Sequence, residues 1–110
     1  MSKFEIFNGK NTEFYFRLKA GNGEIILASE GYTTKASCKN GIDSVRKNAP
    51  IDGHYTRFNN RLNQPTFNLK AANHEIIGVG EAYSGVQARE TGIESVKRNA
   101  PVADITDLTS

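Results

Sequence analysis

Two acid–phenol pairs, Glu30 with Tyr32 and Glu81 with Tyr83, stand fifty-one residues apart in the chain. A glutamate can act as acid or base and a tyrosine as proton donor, so either pair would be a usable couple if a cleft held it. Other polar residues recur at the same interval: Lys19/Lys70, Asn22/Asn73, Glu24/Glu75, Ser44/Ser95 and Asn48/Asn99. Each also has structural work open to it. The first asparagines suit a turn, Lys19 and Glu24 can pair across a hairpin, the serines can bond back to helix carbonyls, and the last asparagines suit a helix C-terminus. Tyr32 and Tyr83 equally suit packing beneath a helix, and retention in both copies is what a folding role predicts.

The familiar chemical motifs are missing. There is no phosphate-cradling G-x-x-x-x-G-K-[ST], no dinucleotide G-x-G-x-x-G, no G-x-S-x-G elbow and no H-E-x-x-H. His54 and His74 are the only imidazoles and Cys38 the only thiol, a thin supply of ligands for zinc. His54 reads as a loop residue and His74 as a turn residue. No metal and no cofactor are expected. Cys38 falls opposite Arg89 in the repeat alignment, so the unit folds without a thiol there, and packing is its simpler role.

What must position these residues is a duplication. "FRLKAGNGEIILASEGYTTKASCKNGIDSVRKNAP" and "FNLKAANHEIIGVGEAYSGVQARETGIESVKRNAP" share about half of their aligned positions. The match extends upstream, where Phe4, Phe7 and Asn8 align with Tyr55, Phe58 and Asn59. The units run from 1 to 52 and from 53 to 110, joined by "PIDGHY", a turn rather than a tether. With 110 residues, 37% hydrophobic and 24% charged, one domain containing both repeats is expected.

Within each unit strands come first. "FEIF" is rich in strand formers, and "FYFRLKA" alternates Phe14, Phe16, Leu18 and Ala20 against Tyr15, Arg17 and Lys19. Asn22-Gly23 predicts a two-residue type I′ turn, replaced by Asn73-His74 in the second copy. That turn would place Gly21 opposite Glu24, Ala20 opposite Ile25 and Leu18 opposite Leu27. A helix follows, with Cys38, Gly41, Ile42, Val45 and Ala49 on one side. Thr33 or Thr34 would cap it, Ser84 and Gln87 have capping-box spacing in the second copy, and Pro50 and Pro101 close both helices. Gly41 and Gly92 lie mid-helix at a cost of about 1 kcal/mol each relative to alanine, which predicts a close approach to the sheet or the other helix. Short extended segments follow at Ile51 and at Val102 to Ile105.

The hairpin pattern F-x-L-K-A-x-N-x-E-I-I, followed by G-I-x-S-V and N-A-P and written twice, resembles the YegP-like family of small bacterial proteins. The likeness covers essentially the whole chain. It implies a β-β-β-α-β unit, used as a tandem repeat or as two subunits, with a single sheet and exchanged C-terminal strands. It implies no particular activity. His74 in the turn and the glycines at 78 and 80 are departures within the second hairpin. The fold class is therefore α+β: two tandem β-β-β-α-β repeats form one antiparallel sheet with two helices on one face, related by a pseudo-two-fold axis.

Alternation assigns the other face of that sheet to Tyr15, Arg17, Lys19, Ile26, Lys70 and Ile77. Cations and an aromatic around apolar centres make this a binding surface, and a protein partner fits it better than nucleic acid, since only one aromatic lies there. The formal charge of +2, from 14 basic and 12 acidic residues, is too even for a broad positive field. No apolar run is long enough to span a bilayer, and the charged N-terminus differs from a secretory signal. A monomeric cytoplasmic binding module, without enzymatic activity, is the expectation. The alternatives are weak binding of single-stranded nucleic acid, or a small enzyme using Glu30/Tyr32 or Glu81/Tyr83. A cleft that holds the glutamates beside an unfilled pocket favours the enzyme, and a flat, exposed face without such a pocket favours binding.

A unit of ~50 residues with one helix over three strands buries too little surface to be stable alone. The intact chain should therefore unfold in one cooperative transition, and residues 1–52 and 53–110 expressed separately should not fold as monomers. Circular dichroism with analytical ultracentrifugation of both halves checks this. A stable monomeric half would show that the repeats do not share a core.

Overall fold

The computed structural model describes residues 1–109. Three strands open the chain: β1 (Lys3–Asn8), β2 (Phe14–Lys19) and β3 (Ile25–Ala28). Helix α1 (Lys35–Asn48) and a short 3-10 turn (Asp52–His54) lead into the second set: β4 (Tyr55–Asn59), β5 (Pro65–Lys70) and β6 (Ile76–Val79). Helix α2 (Val86–Asn99), a second 3-10 turn (Ala100–Val102) and β7 (Asp104–Asp107) complete the fold. One seven-stranded sheet results, in the order β4-β5-β6-β3-β2-β1-β7.

Alternation chooses the buried face as expected in β2 and β5, whereas in β3 and β6, next to the bulges, Ile26 and Ile77 are buried and Ile76 is exposed. Phe4, Ile6, Phe16, Leu18, Leu27, Phe67 and Leu69 are fully buried in one core with Ile42, Val45, Ile93 and Val96 of the helices. Each helix straddles the repeats: α1 packs on β2 and on β5 and β6, while α2 packs on β5 and on β3. The Thr34 hydroxyl caps α1, accepting from the Ser37 amide at 3.1 Å. The second cap differs from the expected capping box. Gly85 is the N-cap of α2 and has no side chain to offer, so Ser84 falls one residue before the cap and Gln87 one short of the position that would reach back.

The hairpin turns also differ from the expected type I′. Gly23 donates to the Ala20 carbonyl and Ala20 to the Glu24 carbonyl, both at 2.9 Å, which makes a three-residue loop. Only its last residue is left-handed, Gly23 at φ +86° or His74 at +71°, so the asparagine is released from that conformation. The Asn22 and Asn73 side chains instead accept from the Glu24 and Glu75 amides, at 3.0 and 3.1 Å. Lys19 consequently faces Ile25, and a bulge between Leu18 and Lys19 restores the pairing of Leu18 with Leu27.

The repeats meet where β3 pairs antiparallel with β6, through Ala28 and Val79. These two residues occupy equivalent positions, so the pseudo-two-fold passes through their pair. Leu27 and Gly78 are likewise equivalents, and here symmetry is broken by size. A methyl built on Gly78 would lie 2.6 Å from a methyl of Leu27. One large and one absent side chain fill a space that two leucines could not share.

Every strand pair is antiparallel except the last. β7, from the second repeat, lies parallel to β1 of the first, pairing Lys3 with Asp104 and Phe4 with Ile105. The exchange runs one way only. After α1 the chain turns at once into β4, so no counterpart of β7 forms and β4 keeps a bare outer edge.

The Leu27–Gly78 contact is open to a double-mutant cycle. Gly78→Leu should cost about 2–3 kcal/mol by overpacking, and Leu27→Gly about 3 kcal/mol or more by leaving a cavity. The double variant should be less destabilised than the sum by about 1 kcal/mol or more. Denaturant unfolding of the four proteins measures this, and strict additivity would mean the two positions do not compete for one space.

Candidate functional site

Tyr83 leaves β6 just before α2 and lies flat against Phe67, with ring centroids 6.2 Å apart and planes 17° from parallel. Tyr32 stacks on Phe16 in the same way, at 6.2 Å and 20°. Their hydroxyls reach under the helices against Gly41 and Gly92, where a side chain on either glycine would overlap the tyrosine. This explains both mid-helix glycines. Burial raises the pKa of Tyr83, and the nearby carboxylates of Glu81 and Glu24 raise it further, so its hydroxyl stays protonated across the physiological range.

Glu24 belongs to the other repeat, and its influence marks the site. The β2–β3 hairpin tip of the first repeat reaches alongside the start of the second repeat's helix layer and closes a cleft of about 1040 Å³. Asn22, Glu24 and Ile26 border it from the hairpin, Glu81 and Tyr83 from the strand–helix junction, and Thr91, Ser95, Arg98 and Asn99 from α2. Among the described residues, neither glutamate side chain nor Arg98 has an ion-pair or hydrogen-bond partner. Asn99 donates to the Ser95 carbonyl at 2.8 Å and hydroxyl at 3.1 Å, which leaves its own carbonyl oxygen unengaged.

Of the two acid–phenol pairs, the cleft holds Glu81 and Tyr83 and not Glu30 or Tyr32. The first pair has its own visitor from the opposite repeat. Burial raises the Tyr32 pKa, with further contributions from Cys38, Glu30 and Glu75. Here the asparagine is taken: Asn48 is buried, and its carbonyl oxygen lies 2.6 Å from His54 Nδ1. His54 has no counterpart imidazole, because Ile105 occupies the equivalent position. Cys38 is fully buried and its thiol is pushed up to about 11 by burial, so it is a packing residue.

On the open face the predicted residues are largely occupied. Glu5, itself buried, binds Arg17 at 2.7 Å, Lys19 at 3.3 Å and Lys3 at 3.5 Å, and the Arg17 contact first, with Lys19, holds its carboxyl below its usual range against the effect of burial. Lys19 therefore pairs with Glu5 rather than across the hairpin with Glu24. Tyr15 stacks on Phe7 at 5.7 Å, and the Arg17 guanidinium sits 4.5 Å over the same ring. Ile26 and Ile77 do not belong to that face: at 5% and 8% exposed they are part of the core, and Ile26 borders the cleft beside α2. Lys70 has no acid beside it, since Thr56 stands where Glu5 would be. Arg98 and Thr91, both at the cleft, carried no sequence signal of their own, although Lys47 repeats the charge at the position equivalent to Arg98.

Two helices over one duplicated sheet, with a cleft bordered by both copies, define a tandem-repeat α+β protein. Two successive segments, residues 10–55 and 61–107, match the family described as "Domain of unknown function (DUF1508)". The chain belongs to this DUF1508 family. It is 50% identical over 105 residues to the UPF0339 protein in the ptx operon 5′ region of Stutzerimonas stutzeri, covering 96% of this chain and 95% of that one. The UPF0339 protein YegP of Yersinia pestis is 49% identical over 109 residues, covering 99% and 97% of the two chains. Among solved structures, the solution structure of yegP from E. coli matches with a TM-score of 0.94 at 47% identity, over 99% of this chain and 94% of that one.

The close fit of Tyr83 under α2 predicts an inverted helix-propensity effect. Gly92→Ala should lower the melting temperature, although alanine is favoured over glycine within a helix by about 1 kcal/mol. With Tyr83→Ala already in place, the same change should raise it. Thermal denaturation of the four variants distinguishes the cases, and a gain from Gly92→Ala with Tyr83 present would show that the two do not touch.

Proposed function

We propose that the protein binds a small polar molecule in the cleft between the first repeat's hairpin and the second repeat's helix, and does not transform it. One observation carries the reading. Asn22 and Glu24 of one repeat, and Glu81, Tyr83, Ser95 and Asn99 of the other, converge on a single ligand-sized cleft although they are scattered through the sequence. The cleft does hold Glu81 beside open space, the arrangement that favours the enzyme, but binding is preferred here because the Tyr83 hydroxyl has no hydrogen-bond partner among the described residues with which to form a proton-transfer couple. The cleft is preferred to the open sheet face because Arg17 and Lys19 there already hold Glu5, and Ile26 and Ile77 are buried, which leaves a partner little unpaired charge or apolar surface.

The protein acts, in this reading, as a monomer in the cytoplasm. Within the described residues no helix is long and apolar enough to cross a membrane. Titration of the ¹⁵N-labelled full chain with small polar metabolites of each charge type should give saturable shifts at Gly21–Glu24, Glu81–Tyr83 and Thr91–Asn99. Thr91→Trp, which fills the cleft from an exposed position, should suppress them while leaving the melting temperature unchanged. If the open-face amides of Tyr15, Arg17 and Lys19 respond and the cleft does not, the cleft reading is wrong.

A further inference from the structure

The cleft's borders carry charges of both signs with nothing to neutralise them. Glu24 and Glu81 approach Tyr83 from opposite repeats, and both are exposed without an ion pair among the described residues. Other charges are paired, as Asp52 is with Lys97 at 2.7 Å and Arg57 at 2.9 Å, while Glu13, Glu30, Glu75 and Asp104 also lack an ion pair among the described residues. What distinguishes the cleft is that two acids and a cation border one space.

The neutral groups lean towards one kind of partner. The Asn99 carbonyl oxygen is unengaged, whereas its equivalent in Asn48 is already held by His54. The Asn22 carbonyl oxygen accepts from the Glu24 amide, and the Thr91 hydroxyl donates to the Gln87 carbonyl at 3.1 Å. Asn99 is the last residue of α2, the end where a helix dipole favours positive charge. Acceptors thus line the same cleft as the two carboxylates, and a ligand that donates would suit them. Arg98, also at that end, is the one unpaired cation on the border, and its guanidinium suits a carboxylate in a two-pronged contact.

Resting on the binding reading above, we propose that the ligand is a small zwitterion of the amino-acid type: its ammonium or guanidinium group lies between Glu24 and Glu81 with the Asn99 carbonyl, and its carboxylate lies on Arg98. Because Glu24 comes from one repeat and the remaining groups from the other, the site exists only in the intact chain. The cleft takes one such ligand, while at the equivalent position in the first repeat Asn48 is committed to His54.

Three probes separate the parts of the claim in titrations of the ¹⁵N-labelled full chain: arginine, agmatine, which is arginine without its carboxylate, and glutarate, which carries no cation. Arginine should bind about tenfold or more tightly than either of the others, the worth of roughly one added charge-assisted contact. Arg98→Ala, at an exposed position, should bring arginine to the level of agmatine. Glu24→Gln combined with Glu81→Gln should bring it to the level of glutarate. Equal affinity for arginine and agmatine would overturn the carboxylate contact. Saturation of the cleft by a neutral sugar but not by arginine would overturn the zwitterion while leaving the binding reading intact, and cleft amides unmoved by every probe would remove both.

Discussion

The fold depends on one antiparallel contact, the pairing of β3 with β6 across the pseudo-two-fold. Each repeat brings three strands and one helix, and each helix spreads onto strands of the other repeat, so neither half has an inside without its partner. Duplication creates a difficulty at that seam, because a two-fold axis brings like residues together. The chain resolves it by size, with Leu27 filling what Gly78 leaves empty. The glycine that looked like a lapse in the second hairpin is thus a condition for the seam to close.

The same seam makes the cleft. A hairpin reaching past the axis lies beside the neighbouring repeat's strand–helix junction, and the turn residues Asn22 and Glu24 are delivered to Tyr83 and Glu81. Symmetry requires a related meeting of Glu75 with Tyr32 and Glu30, yet the two are not chemically equal. The inter-repeat connection passes by the first and places His54 on Asn48, whereas the second is followed by Ile105. A nearly symmetric scaffold therefore presents two unlike surroundings for the same tyrosine.

Much of this architecture could be read from residue order, because local periodicity and duplication carry it. Phe16 and Leu18 alternate with Arg17 and Lys19, Gly41 and Gly92 interrupt their helices where tyrosines press upward, and the repeats share one sheet. Details governed by one backbone angle were less legible. Asn22-Gly23 is compatible with two kinds of turn, and the choice fell to a loop in which only the glycine is left-handed. Ser84 and Gln87 have the right spacing for a cap, but helix α2 begins one residue later. The cleft was least legible, since Glu24 and Tyr83 are distant in sequence and meet only through the relation between repeats. Glu5 was missed for a related reason: it lies alone on β1, and its three cations come to it from its own strand and from β2.

The pairing of β7 with β1 bears on the order in which the protein becomes whole. Asp104 is made long after its neighbour Lys3, once both helices have been translated. A nascent chain can make the hairpins early, for they are local, but the flank of β1 must wait until β7 emerges. Until then an early segment lacks the later one that covers it. β7 thus works as a latch, and a chain in which it had not yet been made would leave β1 unprotected on its outer side.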